Sequence, residues 1–373
     1  MKYYLIAGEA SGDLHGANLM KALRQQDAEA DFRYWGGDLM QQVGGTLVKH
    51  YRDLAFMGFT EVISNLRTIF RNMAYCREDI AQYRPDVIIY IDYPGFNLRI
   101  AKWAKRQGFA NHYYISPQIW AWKENRIQSI KRDIDKMCVI LPFEKDFYEK
   151  KHNFPVHFVG HPLLDAIDER PPSDLEKFRF QHNLNEKKII AILPGSRKQE
   201  IQKMLDTMLA ITSYFANFQF VIAGAPGQEA AVYDPYLNDK NVHLVVNKTY
   251  ELLSHATAAL VTSGTATLET ALFKVPQVVC YRGGEISYQI AKRVINLKYI
   301  SLVNLIMDKK VVVELIQKDF NQDRLKLELM KILHPNYTKQ ILKDYDKLEK
   351  KLGGPGASQN TAALIYDTLH QNV

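Results

Sequence analysis

Short, almost wholly apolar runs alternate along this chain with longer stretches whose apolar positions recur every three to four residues. The runs at Tyr3–Ala7, Asp31–Gly37, Pro85–Ile91, Tyr113–Ser116, Lys136–Leu141, Val156–Val159, Lys188–Leu193, Phe218–Pro226, Val242–Val246, Ala258–Val261 and Gln277–Tyr281 read as strands. Runs without a polar face suit strands covered on both sides, and helical stretches lie between them. The pattern predicts an α/β fold built on parallel sheets. From Phe59 the apolar positions Phe59, Val62, Ile63, Leu66, Ile69, Phe70 and Met73 form one stripe at helical spacing, with Arg67, Arg71 and Arg77 off or beside it. Such a stripe ordinarily packs on a sheet. It also suits a helix that lays its apolar face on a bilayer or on acyl chains, with arginines at the headgroups. Phe56, Met57 and Phe59 around Gly58 lean toward the second reading. Thr249–Ala256 and Glu285–Val294 read as further helices. From Gln317 the chain is helical and charged until Gly353–Gly356, and a last helix spans Ser358–His370.

With 373 residues the chain suits two domains. The proline-rich stretch Glu169–Ser173 marks a boundary, giving residues 1–168 and 169–352, with a tail at 353–373 that packs back on the first domain or exchanges with a partner chain. Hydrophobic content of 47% and charged content of 24% are those of a globular protein. No run of roughly 18 apolar residues is present. The apolar start is too short for a signal peptide, so a cytoplasmic protein is expected. Cys76, Cys138 and Cys280 lack paired spacing, and Gly160 and Pro162 break any helix that would align His157 with His161. Neither a disulfide framework nor a metal site is expected. The net charge of +7 is concentrated locally. Between Arg99 and Arg132 lie Arg99, Lys102, Lys105, Arg106, Lys123, Arg126, Lys131 and Arg132 against Glu124 alone. That surplus fits an acidic partner or a solvated helix face.

The candidate chemistry lies in the turns after strands, where open α/β sheets bind ligands. Gly8–Asp13 (GEASGD) follows the first strand without the spacing of a dinucleotide fingerprint. Asp92, ending the strand before Pro94 and Gly95, can act as a general base or form an Asx turn. Trp120 and Trp122 beside the basic segment can stack on bases, sugars or lipid headgroups. In the second half, Gly195, Ser196 and Arg197 form a strand-turn-helix suited to a diphosphate, although it is not a P-loop. Ser263, Gly264, Thr265 and Thr267 open a helix, with Glu269 one turn in. They suit a phosphate with a ribose on the carboxylate, or a capped helix start.

The motifs GEASGD (8–13), FMG (56–58), DYPGFN (92–97), SPQIWAW (116–122), LPFE (141–144), GHP (160–162), LPGSR (193–197), SGTATLE (263–269) and SLVNL (301–305) occur in one order. The chain thereby resembles the lipid-A-disaccharide synthases, strongly from residue 3 to about 305 and weakly through the tail. The resemblance implies a GT-B fold, two Rossmann-like domains facing across a cleft, and an inverting glycosyltransferase needing no metal or other cofactor. It implies UDP-2,3-diacylglucosamine as donor and 2,3-diacylglucosamine 1-phosphate (lipid X) as acceptor. The products would be the β-1,6-linked lipid A disaccharide 1-phosphate and UDP. The enzyme would sit peripherally on the anionic cytoplasmic face of the inner membrane, as a monomer or homodimer.

Carried onto this chain, the resemblance makes Asp92 the base, with Glu9 as rival or orienting group. Gly195, Ser196, Arg197, Ser263, Gly264, Thr265, Glu269, Arg282 and Asn304 fall on the donor side. Ser11, His15, Met57, Phe59, Ser116, Gln118, Trp120 and Trp122 fall on the acceptor side. The family often carries a second carboxylate in the 92–97 turn. Here that position is Gly95, and Tyr93 replaces a small residue, so Asp92 is the only base left in the turn. The rival readings are another UDP-sugar enzyme of the same fold, an epimerase or a different transferase, and a non-catalytic nucleotide-sugar or lipid binder. No nucleic-acid module is recognisable.

Overall fold

Along the first strand, β1 (Lys2–Ala7), successive side chains enter two different cores. Tyr4 and Ile6 pack with Ile88, Tyr90, Ile100 and Ile130, whereas Tyr3, Leu5 and Ala7 pack with Leu19, Leu23, Ile89 and Ile91. Both faces are covered, which is why the strand reads as a continuous apolar run. Each fully buried side chain of this kind contributes about 1.5–3 kcal/mol. The computed structural model describes residues 1–54, 66–225, 228–284 and 298–371. The chain divides into one unit of Met1–Ala166 with Leu352–Val373 and another of Ile167–Lys351.

The first unit holds β1, β2 (Asp31–Gly36), β3 (Thr46–His50), β4 (Val87–Ile91), β5 (Ala110–Tyr114), β6 (Lys136–Val139) and β7 (His157–Phe158). They form one parallel sheet in the order β3-β2-β1-β4-β5-β6-β7. The second holds β8 (Lys188–Leu193), β9 (Phe218–Gly224), β10 (Val242–Val246), β11 (Ala256–Thr262), β12 (Gln277–Tyr281) and β13 (Val313–Ile316). Its parallel order is β10-β9-β8-β11-β12-β13. Both are Rossmann-like orders that reverse direction beside their first strand. Strands β3 and β13 were not legible from the pattern. Each ends its sheet, where one side needs no strand partner, and polar Thr46, Lys49, His50 and Glu314 are tolerated.

The helix Leu66–Tyr83 turns Met73, Cys76 and Ile80 into the first core and leaves Phe70 61% exposed. The predicted stripe therefore divides along its described part. Its beginning, with Phe59, Val62 and Ile63, lies outside the described residues, as do Phe56, Met57 and Gly58 before it and the segment 285–294. Asp79 on this helix accepts the Tyr4 hydroxyl at 2.8 Å and Arg33 Nε at 2.8 Å, which pins the helix to the sheet.

The motif at Gly160–Pro162 anchors the tail. The His161 N–H donates to the Leu352 carbonyl at 3.2 Å, and Asp165 accepts the N–H groups of Gly356, Ala357 and Ser358 at 2.6, 3.2 and 2.9 Å. The final helix, Ala357–His370, then packs Ala362 and Ile365 into the core containing Leu5 and Leu19. No described helix is long and apolar enough to cross a membrane.

Candidate functional site

In the first unit the sheet order reverses between β1 and β4, and Ala7 lies beside Ile91 in register. The loops beginning at Gly8 and Asp92 therefore leave the sheet next to each other, at its topological switch point. Asp92 and Tyr93 both have left-handed backbones, with φ of 45° and 49°. For non-glycine residues that costs about 1–3 kcal/mol each. The surroundings hold them there. The Asp92 N–H donates to the Tyr114 carbonyl at 3.2 Å, and its own carbonyl accepts Tyr113 Oη at 2.6 Å and Asn97 Nδ2 at 2.8 Å. Asn97 Nδ2 also reaches the Ile6 carbonyl at 3.3 Å, joining the ends of β1 and β4. The Tyr93 ring lies over Gly8, where an added Cβ would come within 2.4 Å of it, and stacks on Phe96 at 5.7 Å.

The clamp grips the backbone of Asp92 rather than its carboxylate. Burial above all, and then the charge of Glu9, pushes that carboxyl up to about 6, against the pull of the Tyr93 N–H. A carboxylate so tuned is ionised at neutral pH yet basic enough to take a proton. Glu9 is exposed and immediately precedes the helix Ala10–Gln26, and Ser11 is exposed in its first turn. Asp13 of the same motif is structural. Its carboxylate accepts the N–H groups of Gly37, Leu39 and Met40 at 2.7, 3.0 and 3.1 Å.

His15 does not join this site. It is buried, burial lowers its pKa to about 4, and the charge it feels is that of Asp165 in the tail anchor. Ser116 is also buried, donating to Glu144, and Trp120 donates its indole N–H to the same carboxylate. Gln118 and Trp122 are exposed, with Lys123 Nζ 4.3 Å and the Arg126 guanidinium 5.7 Å from the Trp122 ring. The basic surplus of this region is partly neutralised. Lys105 pairs with Asp135, and Arg132 pairs with Asp133 at 2.6 Å.

In the second unit the order reverses between β8 and β11, with Leu193 beside Val261. The turn after β8 brings Gly195 to a φ of 105°, and a Cβ there would meet the Glu200 carboxylate at 2.3 Å. Glu200 accepts the Ser196 N–H at 3.2 Å. Arg197 sits at the N-cap of the helix Lys198–Leu209, exposed, and no partner holds its side chain among the described residues. The turn after β11 leads into the helix Thr265–Leu272, whose start carries no side-chain cap. The capping alternative fails because the N-cap position is Gly264, which has no side chain to cap with, while Ser263 Oγ is turned to donate to the Ile300 carbonyl at 2.8 Å. The first N–H groups of this helix keep their capacity to bind an anion. Glu269 accepts Tyr250 Oη at 3.0 Å, and burial raises its pKa while that bond opposes the rise. The tyrosine fixes one carboxylate oxygen and leaves acceptor capacity for a ribose hydroxyl.

Two residues assigned to the donor side are committed elsewhere. Asn304 is fully buried. Its Oδ1 accepts the N–H groups of Val311 and Val312 at 2.7 and 3.0 Å, and its Nδ2 donates to the Val312 carbonyl and Glu314, both at 2.9 Å. All four hydrogen-bonding positions of the amide are filled, so it braces β13 and does not reach a diphosphate. Arg282 donates to Thr207 Oγ1 at 2.9 Å and to the Phe320 carbonyl, with its guanidinium over the Phe320 ring. It ties β12 to the helix Lys198–Leu209. Met57 and Phe59 lie outside the described residues. Tyr113 and Asn97, which clamp Asp92, and Tyr250, which orients Glu269, escaped the sequence reading. Asn97 alone carried a signal, as the last residue of the 92–97 motif.

A family model described as lipid-A-disaccharide synthetase matches residues 3–366. A lipid-A-disaccharide synthase from Syntrophus aciditrophicus is 39% identical over 382 residues, covering 99% of this chain and 98% of its own. One from Geobacter sulfurreducens is 34% identical over 377 residues, covering 99% and 97%. Among solved structures, a UDP-GlcNAc 2-epimerase from Neisseria meningitidis bound to UDP-GlcNAc matches with a TM-score of 0.68 and 14% identity, covering 100% of both chains. At that identity the likeness concerns the fold.

Proposed function

The chain belongs to the lipid-A-disaccharide synthase family, and we propose how its two switch points divide the work of that reaction. Its fold, two Rossmann-like units in one chain, is GT-B. It is a glycosyltransferase that forms the lipid A disaccharide, and we propose that it joins UDP-2,3-diacylglucosamine to lipid X through a β-1,6 bond, releasing UDP.

In our reading the first unit holds the acceptor and the second holds the donor. The acceptor 6-hydroxyl attacks the anomeric carbon from the side opposite UDP. One C–O bond forms as the bond to the diphosphate breaks, and the electron pair leaves with UDP. Asp92 takes the hydroxyl proton, help typically worth about 10²–10⁴-fold. Glu9 raises the basicity of Asp92 through its charge. The uncapped start of Thr265–Leu272, the Gly195–Ser196 turn and the Arg197 guanidinium hold the two negative charges of the leaving group. Glu269 binds the ribose, oriented by Tyr250.

The observation that carries this reading is the backbone-clamped Asp92 carboxyl at one switch point, with its pKa raised to about 6. Mass spectrometry of products after incubation with both acylated sugars tests it. A disaccharide of the two acylated sugars is expected. Epimerisation of the donor, or equal turnover of unacylated UDP-glucosamine, would overturn it.

Exposed Trp122, flanked by Lys123 and Arg126, and exposed Phe70 support a peripheral position on anionic phospholipid at the cytoplasmic face of the inner membrane. Salt-dependent flotation with anionic vesicles is the expected result. No flotation at any salt concentration would remove this part of the reading. Within one chain the final helix packs on the first unit.

A further inference from the structure

Glu144 lies in the helix Pro142–Asp146 after β6, fully buried, and the mechanism above does not use it. One carboxylate oxygen accepts the N–H groups of Ile140 at 3.1 Å and Leu141 at 2.9 Å, closing the start of its own helix. The other accepts Ser116 Oγ at 2.7 Å and Trp120 Nε1 at 3.1 Å. All four partners donate. An ionised carboxylate can accept all four, whereas any neutral replacement presents an N–H or O–H to at least one of them. The four donors favour the ionised form, and burial works against them, lifting this carboxyl to about 7.

The loop that Glu144 grips is under tension. Ile115, the residue after β5, has a φ of 63°. For a β-branched residue that is an outlier, and it persists only where neighbours over-determine it. It turns the chain so that Ser116 meets Glu144. The Pro117 carbonyl accepts Tyr148 Oη at 3.1 Å, and the Trp120 ring packs edge-on to Phe143 at 4.8 Å. Beyond this buried anchor, Gln118 and Trp122 reach solvent.

We propose that Glu144 is a positioning residue for the acceptor, holding the Ser116–Trp122 loop in its binding shape through Trp120. The proposal rests on the reading of that loop as part of the acceptor side. In Glu144→Gln the amide oxygen stays with the two backbone N–H groups and the NH2 turns to the loop. The Ser116 hydroxyl can reverse and accept from it. The indole N–H cannot, so Trp120 is released.

The test is steady-state kinetics of the full chain with donor and acceptor each varied in mixed micelles, alongside thermal melting. Glu144→Gln is expected to raise the acceptor KM about tenfold with the donor KM unchanged. Trp120→Phe, which removes the N–H and keeps a ring, is expected to do the same, and the double variant no more than either. An unchanged acceptor KM in Glu144→Gln, with a raised one in Trp120→Phe, overturns the proposal. So does a rise of both KM values in proportion to a lowered Tm, which is the mark of a purely structural role. If Glu144→Gln does not fold, Trp120→Phe and Ser116→Ala each remove one donor and keep the carboxylate, and an unchanged acceptor KM in both overturns it. The acceptor reading of the loop fails separately if Gln118→Ala and Trp122→Ala both leave the acceptor KM unchanged.

Discussion

Replacing Asp92 by Asn is expected to make the protein more stable and almost inactive. Folding raises this carboxyl from 3.8 to about 6, chiefly through burial and secondly through Glu9. At about 1.36 kcal/mol per pH unit, the ionised group opposes folding by up to roughly 3 kcal/mol, and its partial exposure lowers that figure. The sign follows from linkage. The folded pKa lies above the unfolded one, so the penalty is absent below about pH 4, grows between 4 and 6, and is complete above 6. Asp92→Asn removes it, and the stability gap between variant and wild type should widen over that window. Urea unfolding at pH 4 and pH 7 measures the gap, and kcat of the same variant should fall by at least about 100-fold. In the wild type, kcat/KM, which reports groups of the free enzyme, should decline as pH falls through about 6. Glu9→Gln should move that acid limb lower by less than one pH unit, since its charge is the smaller cause. Most of kcat surviving in Asp92→Asn would show that another group is the base. An acid limb near 4 would show that Asp92 is not held as its surroundings suggest.

Arg197→Ala should raise the donor KM and lower kcat, together costing about 10–100-fold in kcat/KM, and unchanged kinetics would remove the guanidinium from the diphosphate site. Asn304→Ala should cost about 2–4 kcal/mol in urea unfolding, because two buried N–H groups and a carbonyl lose their partner. The donor KM of whatever fraction folds should stay unchanged, and a selective rise would return Asn304 to the donor site. Asp165→Ala should loosen the final helix by about 1–3 kcal/mol, read as faster amide hydrogen exchange across Ala357–His370. Exchange no faster than in the wild type would show that core packing alone holds the tail.

Central strands such as β1, β4, β8 and β11 were legible because helices bury both their faces, which forces a continuous apolar run. The turns after them were legible because ligand-binding loops use small, polar and glycine residues in short local strings, and such strings survive in a linear reading. That was enough to set Asp92 and Arg197 apart. The edge strand β3 escaped because Thr46, Lys49 and His50 interrupt its apolar run, and β13 because it is four residues long and Glu314 separates its buried Val313 and Leu315.

The purpose of an individual polar side chain was a different matter. Asn304 and Arg282 stand near donor-side motifs and have the chemistry to meet a diphosphate. Their partners turned out to be backbone and side-chain groups of the protein itself, the farthest of them 75 residues away in sequence. Asn97 clamps Asp92 by reaching Ile6 across 91 residues, and Asp165 holds Ser358 across 193. Hydrophobic periodicity and turn chemistry are local properties and can be read along a chain. Whether a polar group faces a substrate or closes a buried hydrogen bond depends on which distant segments folding brings beside it. For Glu144, Asn304 and Arg282 that was settled by tertiary packing alone.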